Sequence, residues 1–392
     1  MQTHYDYIIL GGGLSGLTLA YRMAKDSFFD TKSILIIDQS AKEKNDRTWC
    51  FWESHSDLFE EVVSHHWPKI GFKSPVFSDE ITIQPYAYKK IEGKDFYAFA
   101  KAYLATKPHI SFLQEHVTDI EELTDKVTVT TTQQTLTADR VCNSFLKLTT
   151  LEKQSQHQYL KQHFIGWFIK TEKPVFNPEV ATFMDFTVPQ KGNCRFMYVL
   201  PTSPTEALFE YTLFSKELLE DAEYETAIQE YLTSIDILQY SIEAKEQGDI
   251  PMSSYRFDKH NSKRIIHIGS AGGWTKASTG FTFKHTLKKT ATLVDFLKTG
   301  KDLRGFSKRT RFWWYDLLLV DVLYRKNHLG APIFGEMFKN NPTDRIFRFL
   351  DDETTFKEEL QIIWSLPKKE FIKAVFSRSF NSLRTIFSNN QN

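Results

Sequence analysis

A cluster of glycines separates a short apolar segment from a helical one near the start of the chain. Tyr5–Leu10 has the composition of a buried strand, and apolar residues recur at helical spacing through Leu14–Lys25. In a G-x-G-x-x-G turn the first glycine permits a tight bend, the second lets the backbone approach a pyrophosphate, and the third allows the helix to pack on the strand. Free N–H groups at the helix start then bind phosphate, so the pattern predicts a dinucleotide site. Its residues are Gly11, Gly12, Gly13, Leu14, Ser15 and Gly16.

An acidic residue follows the next predicted strand. Ser33–Ile37 is largely apolar and is followed by Asp38, which lies 22 residues after Gly16. A carboxylate at this distance is expected to accept a hydrogen bond from a ribose hydroxyl. Strand, glycines, helix, strand and acid occur in order, which is far more specific than the glycines alone. FAD and NAD both fit this unit, and its N-terminal position together with a second glycine cluster favours FAD.

The second glycine cluster lies far downstream, between a strand predicted at residues 264–268 and a helix predicted at Phe283–Leu297. Such an element is expected to bring backbone N–H groups to the ribityl chain and the ring edge of a flavin. The alternative is an ordinary strand–turn–helix joint, because glycine turns are common. The residues expected to contact the flavin are Gly269, Gly272, Gly273, Thr279 and Gly280.

Composition restricts the classes of partner. Lys plus Arg and Asp plus Glu both number 49, so no net field attracts nucleic acid, and we expect no nucleic-acid partner. The three cysteines form no C-x-x-C pair, which argues against a disulfide framework and against a metal site. No apolar run approaches the ~20 residues that cross a bilayer, and no secretory signal is visible, so a cytoplasmic location is expected. Aromatic residues make up 15% of the chain, which suits a large apolar cavity or a lipid-facing surface.

The predicted elements indicate a discontinuous α/β (α+β) fold. Residues 1–60, 95–165 and 260–300 are expected to form a Rossmann-like FAD-binding domain of the two-domain flavoprotein hydroxylase type. Residues 61–94 and 166–259 contain several runs with strand alternation, which predict an inserted antiparallel substrate sheet. Val127–Thr132 and Thr135–Ala138 alternate as in a hairpin. Helical periodicity dominates residues 301–392.

The last predicted helix, residues 368–388, is amphipathic and basic. Its apolar residues follow spacings of three and four, and no acid follows Glu370. Such a helix either anchors a protein at a membrane surface or packs on the core, and the pattern leaves both open. The apolar positions are Ile372, Val375, Phe376, Phe380, Leu383 and Phe387, and the basic ones are Lys368, Lys369, Lys373, Arg378 and Arg384.

Seven further segments give the chain a family resemblance. In order, they resemble the T-W-x-F loop, the Q-H-F-x-G block, the M-D-F block, the Y-V-L-P segment, the acidic F-L-E-E-T segment, the H-P-A-T-G-Y turn and a late F-L-D element of the lycopene β-cyclases. The matches keep their order over nearly the whole chain. The segments are Arg47–Glu53, Gln162–Trp167, Phe183–Phe186, Arg195–Pro201, Leu208–Thr212, Lys276–Phe281 and Phe349–Asp351.

The resemblance implies an enzyme that converts the acyclic ends of lycopene into β-ionone rings without net redox change. A proton adds to a terminal alkene, the chain closes on itself, and another proton leaves. Reduced FAD would stabilise the cationic intermediate, with NADPH or NADH as its reductant. Arg47 is expected near the flavin or its phosphates. A peripheral association with a membrane would give access to so apolar a substrate.

Glu210 is the residue that the resemblance marks as the acid. Alternation places it on one face of a strand with Leu208 and Thr212. By spacing alone it would more often be an exposed charge on an amphipathic strand. A carboxyl that stays neutral near pH 7 must be buried, so the hypothesis requires burial. Asp185 is the second candidate, either as a catalytic partner or as a structural residue.

Two positions depart from the family pattern. Tyr211 stands where the family has a second acid, so either that carboxylate is dispensable or Tyr211 replaces its hydrogen bond. Gly269-Ser270 replaces the Gly-Asp of related flavoprotein hydroxylases. Two rival functions stay open. One is a redox flavoenzyme such as a hydroxylase or polyprenyl reductase, against which the missing Gly-Asp and the T-W-x-F loop count, and the other is a non-catalytic flavin- or lipid-binding protein.

Overall fold

The first of three sheets contains the two predicted N-terminal strands. The computed structural model describes residues 3–389, and the side chains of residues 3–379. In this sheet β1 (His4–Leu10) pairs in parallel with β2 (Ile34–Asp38) and with β11 (Thr135–Asn143). The remaining strands are β8 (Ile110–Gln114), β9 (Val117–Glu122), β10 (Val127–Thr131) and β17 (Ile265–His267), and the order is β8-β2-β1-β11-β10-β9, with β17 on β11. The predicted hairpin is confirmed, because β10 and β11 pair antiparallel.

Helices cover one face of this sheet. The helix α1 (Leu14–Lys25) packs against α2 (Gly93–Ala105) and α5 (Phe283–Lys298). Alternate side chains of β1 enter opposite cores, since Ile9 joins the core beneath α1 and α5 while Ile8 joins the core on the other face. The predicted helices at Leu14–Lys25 and Phe283–Leu297 are thus confirmed to within one residue.

The second sheet is mostly antiparallel and has seven strands in the order β16-β12-β15-β14-β13-β5-β6. Among its described strand pairs, only β13 and β5 run parallel. Its strands are β5 (Lys69–Lys73), β6 (Ser78–Thr82), β12 (Leu160–Lys170), β13 (Val180–Asp185), β14 (Cys194–Pro201), β15 (Glu206–Ser215) and β16 (Ser241–Met252). One face packs on α4 (Asp221–Ser234) through a core that includes Trp167, Phe209 and Tyr211.

A small third sheet connects the other two. It consists of β3 (Thr48–Glu53), β7 (Ala87–Glu92) and β4 (Val63–Trp67), with β7 in the middle. Trp52 of β3 and Tyr88 of β7 belong to the core on the second face of the large antiparallel sheet. The predicted boundary at residue 165 falls inside β12, and the predicted domain limits stay predictions.

The C-terminal part of the described chain is helical, as expected. The short α3 (Leu148–Lys153) lies earlier, and the C-terminal helices are α6 (Arg311–Arg325), α7 (Gly330–Asn340), α8 (Thr343–Leu350), α9 (Phe356–Ser365) and α10 (Lys368–Asn389). No helix in residues 3–389 is both long and apolar enough to cross a membrane. One side of α10 packs on α6, where Arg378 pairs with Asp321. The side chains of Phe380, Leu383, Arg384 and Phe387 lie outside the described ones.

Candidate active site

The first glycine turn has the geometry that its sequence predicts. Gly11 adopts a φ of +99°, which favours glycine, and its N–H donates to the Ile37 carbonyl at 2.8 Å. A Cβ at Gly16 would lie 1.9 Å from the Gly11 carbonyl oxygen, so helix and strand approach more closely than any side chain permits. Leu14 and Ser15 are buried in the first turn of α1.

The space next to Gly13 is open. Within the described residues, no atom beyond Gly13 and its chain neighbours lies within 4 Å of the position that a Cβ of Gly13 would occupy. Gly13 is also the N-cap of α1, and none of the described side chains caps this helix. The N–H groups of the first helical turn are therefore available to an anion, which fits a pyrophosphate at this position.

Asp38 stabilises the glycine turn through hydrogen bonds to the backbone. Its carboxylate accepts the N–H of Gly12 at 2.7 Å and the N–H of Ser40 at 2.7 Å. The acid thus fixes the backbone at the end of β2, and each carboxylate oxygen has a second lone pair for a further donor. Contact with a ribose stays a prediction.

The second glycine cluster contacts the first. Gly269 has a φ of +59°, and a Cβ there would lie 2.4 Å from Ser15 Oγ. A Cβ at Gly272 would lie 2.3 Å from the His267 carbonyl oxygen, and Gly273 has a φ of +69°. The structure therefore brings together two of the predicted flavin elements, and glycine is required where they meet.

Two buried polar atoms lack a partner where this segment ends. Gly280 has a φ of +75°, and a Cβ there would lie 2.5 Å from Gln162 Oε1. Gln162 Oε1 and Thr279 Oγ1 make no hydrogen bond within the described part of the chain. Buried polar atoms are normally satisfied, so this location fits a bound polar group such as the edge of a flavin ring.

Arg47 lies at the end of the loop that leads from β2 into β3. Its side chain is exposed, and its Nη1 donates to the Asp46 carbonyl at 2.8 Å. The Arg47 carbonyl accepts the N–H of Gly93 at 2.7 Å and so connects this loop to α2. Contact of Arg47 with a flavin stays a prediction.

Glu210 has a carboxylate neighbour that sequence analysis did not identify. Gly166 in β12 pairs with Glu210 in β15 on one side and with Glu246 in β16 on the other. Directly opposed residues project to the same face of a sheet. A Cβ at Gly166 would lie 3.2 Å from Glu246 Cγ and 3.5 Å from Glu210 Cβ. Both side chains therefore lie over the glycine, which leaves room for them to approach each other.

Each carboxyl of this pair has a threonine donor. Thr212 Oγ1 donates to Glu210 Oε1 at 2.5 Å, and Thr48 Oγ1 donates to Glu246 Oε2 at 2.9 Å. Burial, together with the charge of Glu246, raises the pKa of the Glu210 carboxyl to about 8. Burial also raises the pKa of Glu246, against the opposing effects of the Thr48 hydrogen bond and Lys90. One proton on the pair near neutral pH is therefore the favoured state.

The pair is half-exposed, and the groups beside Glu210 are mostly neutral. Glu210 and Glu246 each keep partial exposure, and the charged neighbours Lys90, Glu92 and Arg47 act on Glu246. Burial raises the pKa of the Cys50 thiol and of the Tyr88 hydroxyl, so both are neutral near pH 7. Leu208 lies beside Gly166 on the same face. Burial among these neutral groups stabilises an uncharged Glu210.

Comparison with known proteins identifies the family. A family model described as lycopene cyclase protein matches residues 6–376. The chain belongs to the lycopene cyclase family. It is 24% identical over 394 residues to a lycopene beta-cyclase from Pantoea ananas, which covers 96% of this chain and 98% of that protein. A second lycopene beta-cyclase, from a Paracoccus strain, is 28% identical over 134 residues, or 32% of this chain and 33% of that protein. The family predicted from the sequence motifs is confirmed.

Solved structures share the fold of this lycopene cyclase family member at low identity. A flavin-dependent brominase has a TM-score of 0.63 at 14% identity and covers 89% of this chain and 94% of its own. A flavoprotein/dehydrogenase from Cytophaga hutchinsonii has a TM-score of 0.62 at 11% identity, with coverages of 97% and 100%. A geranylgeranyl bacteriochlorophyll reductase-like protein from Thermoplasma acidophilum has a TM-score of 0.61 at 11% identity, with coverages of 96% and 100%. The predicted two-domain flavoprotein fold is confirmed.

Asp185 is separated from Glu210 in this cyclase family member. Its carboxylate accepts hydrogen bonds from Tyr231 at 2.8 Å and from the Thr187 hydroxyl at 2.5 Å. Tyr231 belongs to α4, which covers the face of the sheet opposite to Glu210. The structure therefore does not bring the two predicted acids together, and it places Asp185 in a buried polar network beneath α4.

Tyr211 also lies on the α4 side. It is fully buried, and its hydroxyl accepts from Arg195 Nη1 at 3.2 Å. Neighbouring residues in a strand project to opposite faces, so Tyr211 cannot replace an acid next to Glu210. The second carboxylate beside Glu210 is Glu246 instead. It is the one charged residue on a face of β16 that otherwise carries Ile242, Ala244, Gly248, Ile250 and Met252, and the pairing of β16 with β12 places it next to Glu210.

Proposed function

We propose that this protein converts the acyclic ends of lycopene into β-ionone rings, giving γ-carotene and then β-carotene. The observation that carries the proposal is the Glu210 carboxyl, which lies over Gly166 beside Glu246 and has a raised pKa. Membership in the lycopene cyclase family supports the substrate. The two relatives bear the name lycopene beta-cyclase, which supports the β ring.

Glu210 is proposed as the general acid. Its neutral carboxyl delivers a proton to the terminal double bond, and the polyene closes into a ring. The ring carbon then loses a proton to water, and the Glu210 carboxylate takes up a proton from water. No electrons enter or leave in this sequence. An acid with a pKa near the working pH is the most effective, because it is protonated at rest and still a competent donor.

The glycine turns are proposed to hold FAD. Gly13 leaves space for the pyrophosphate, and the unpartnered Thr279 and Gln162 atoms fit the ring end. When bound, reduced FAD, with NADPH or NADH as the reductant, would supply negative charge to stabilise a carbocation in an apolar substrate site, where an unpaired charge is costly. The chain's own contribution is to position that ring and to exclude water from the site.

A peripheral association with membranes is proposed as the route to the substrate. The helix α9 exposes Phe356, Leu360 and Trp364, and α10 exposes Ile372 and Phe376. We name these five residues the α9–α10 apolar face. Basic residues lie beside it at Lys368, Lys369 and Lys373, a composition typical of membrane-surface helices.

The decisive test compares two glutamines in one strand. Glu210→Gln keeps size and hydrogen bonding but cannot protonate carbon, and loss of general acid catalysis usually costs 10²–10⁴-fold. Glu206→Gln is the matched control, because Glu206 lies on the same face of β15 and pairs at the surface with Lys170. Ring formation should fall only in Glu210→Gln, with FAD content normal in both. The assay is chromatography of carotenoids from lycopene-accumulating bacteria.

Three outcomes would contradict the proposal. Ring formation by Glu210→Gln within about tenfold of the unmodified protein, well below the usual loss, would assign the acid elsewhere. One NADPH oxidised per product would indicate a redox flavoenzyme. Lycopene left unchanged by the purified, FAD-loaded and reduced protein in D2O, where each new ring should gain one deuterium, would exclude cyclisation itself.

A further inference from the structure

The two carboxyls over Gly166 have unequal surroundings. Glu246 accepts a hydrogen bond from Thr48, and both Lys90 and Arg47 favour its charged form. Lys90 is buried and lies 5.7 Å from the Phe168 ring and 3.3 Å from Glu92. Among the described groups, Glu210 receives only the hydroxyl of Thr212, with no cation acting on it. The negative charge of the pair is therefore expected on Glu246 and the proton on Glu210.

We propose that Glu246 is a positioning residue for the reaction, an ionised carboxylate that keeps the proton on Glu210. The inference rests on the proposed function of Glu210 as the acid. It names a residue in β16, a strand outside the seven segments that carry the family resemblance, and gives it a role that the sheet register reveals.

The other groups facing the pair strengthen this assignment. From β3, the Cys50 thiol and Thr48 face it, and from β7, Tyr88 and Lys90 do so. Cys50 and Tyr88 are neutral near pH 7 because burial raises the pKa of each. Glu92 lies on the Lys90 side and opposes its effect on Glu246, and Arg47 adds to it. Among the described groups, Glu246 is the one whose negative charge raises the pKa of the Glu210 carboxyl.

The sign of the expected pH effect follows directly. The rate depends on protonated Glu210, so activity declines as pH rises through the pKa of Glu210. Removing the negative charge of Glu246 lowers that pKa, which moves the alkaline limb of the pH–rate profile to lower pH. When the pKa of Glu210 falls by about one pH unit, the rate falls about tenfold at pH values above both pKa values and stays unchanged well below them.

The experiment uses Glu246→Gln, which keeps the acceptor for Thr48 but removes the charge. We expect its alkaline limb to move down by about one pH unit or more, a change typical of a lost close charge. Glu246→Asp retains the charge and should restore the limb. Asp249→Asn, in the same strand on the exposed side, is the control and should leave the limb in place. A limb that stays fixed in Glu246→Gln, or a uniform loss of kcat at every pH, overturns the proposal.

A second readout is independent of turnover. Infrared titration of the resting protein follows the protonated-carboxyl band, and Glu210→Gln identifies the contribution of Glu210. We expect this band to titrate at lower pH in Glu246→Gln and at the unmodified pH in Glu246→Asp. If the protein made no rings at all, the proposed function would be wrong. The titration would still show whether the charge of Glu246 raises the pKa of Glu210. An unshifted band overturns the inference whether or not rings form.

Discussion

At Gly13 a side chain would meet open space, and at Gly16 it would meet protein. No described atom beyond Gly13 and its chain neighbours lies within 4 Å of a Cβ at Gly13, whereas a Cβ at Gly16 would lie 1.9 Å from the Gly11 carbonyl oxygen. The two glycines therefore have different tasks. Gly16 lets the helix approach the strand, and Gly13 leaves space for a ligand.

This difference gives a specific prediction for Gly13→Val. The variant should fold normally, because the new side chain points into open space, but it should lose bound FAD, because it occupies the space proposed for the pyrophosphate. Flavin absorbance and thermal unfolding are measured on one sample, beside the unmodified protein stripped of FAD. Gly16→Val is the comparison that should fail to fold. A folded Gly13→Val with a full flavin spectrum would remove FAD from this turn.

Single residues also show where sequence reasoning ends. The glycines and Asp38 could be predicted because a local backbone turn demands them within one short segment. Glu246 could not be predicted, since its role depends on β16 pairing with β12, a strand far away in sequence. Asp185 was the second candidate after Glu210, as a catalytic partner or a structural residue, and the two side chains project to opposite faces of the sheet. A sequence motif predicts which residue types are available for chemistry, and the register of strand pairing decides which of their side chains come into contact.

At the scale of elements, a buried lysine connects the second glycine segment to the C-terminal helices. Lys276 Nζ lies 3.1 Å from Asp316 in α6 and 2.9 Å from Asp352 after α8. Ser278 Oγ also donates to Asp316, at 2.6 Å. Lys276 is the first residue of the segment that resembles the H-P-A-T-G-Y turn. The helical region was predictable from periodicity, but this attachment was not, because its three charges are far apart in sequence.

Lys276→Met should therefore destabilise the fold strongly. It leaves Asp316 in a buried site without its cation, and removing one partner of a buried pair typically costs about 3–5 kcal/mol. Lys170→Met is the control, because its pair with Glu206 is exposed and such pairs contribute only about 0–1 kcal/mol. Urea unfolding followed by circular dichroism measures both. Equal stabilities of the two variants would show that the buried pair contributes no more than the exposed one.

At the scale of the whole molecule, basic and acidic residues balance, so attraction to an anionic membrane depends on local groups of basic residues. The chain has 49 basic and 49 acidic residues, so no net charge draws it to an anionic membrane. The sequence left membrane anchoring and core packing open for the last helix, and the packing is now visible on one side. Arg378 pairs with Asp321 of α6, while Ile372 and Phe376 remain exposed. Arg378 therefore serves packing, and a test of anchoring must leave it intact.

The membrane prediction is tested by two sets of variants, one that reverses basic charges and one that removes exposed apolar side chains. Changing Lys368, Lys369 and Lys373 to Glu should weaken binding to phosphatidylglycerol vesicles by about 3 kcal/mol, or roughly a hundredfold, because each basic residue near an anionic surface contributes about 1 kcal/mol. Trp364→Ser with Phe376→Ser should weaken binding to neutral and anionic vesicles alike, since Trp364 is 74% exposed on the α9–α10 apolar face. Leu238→Ser is the control, because Leu238 is 70% exposed elsewhere on the surface. Flotation measures the bound fraction, and equal flotation of all variants would mean that this face does not contact lipid.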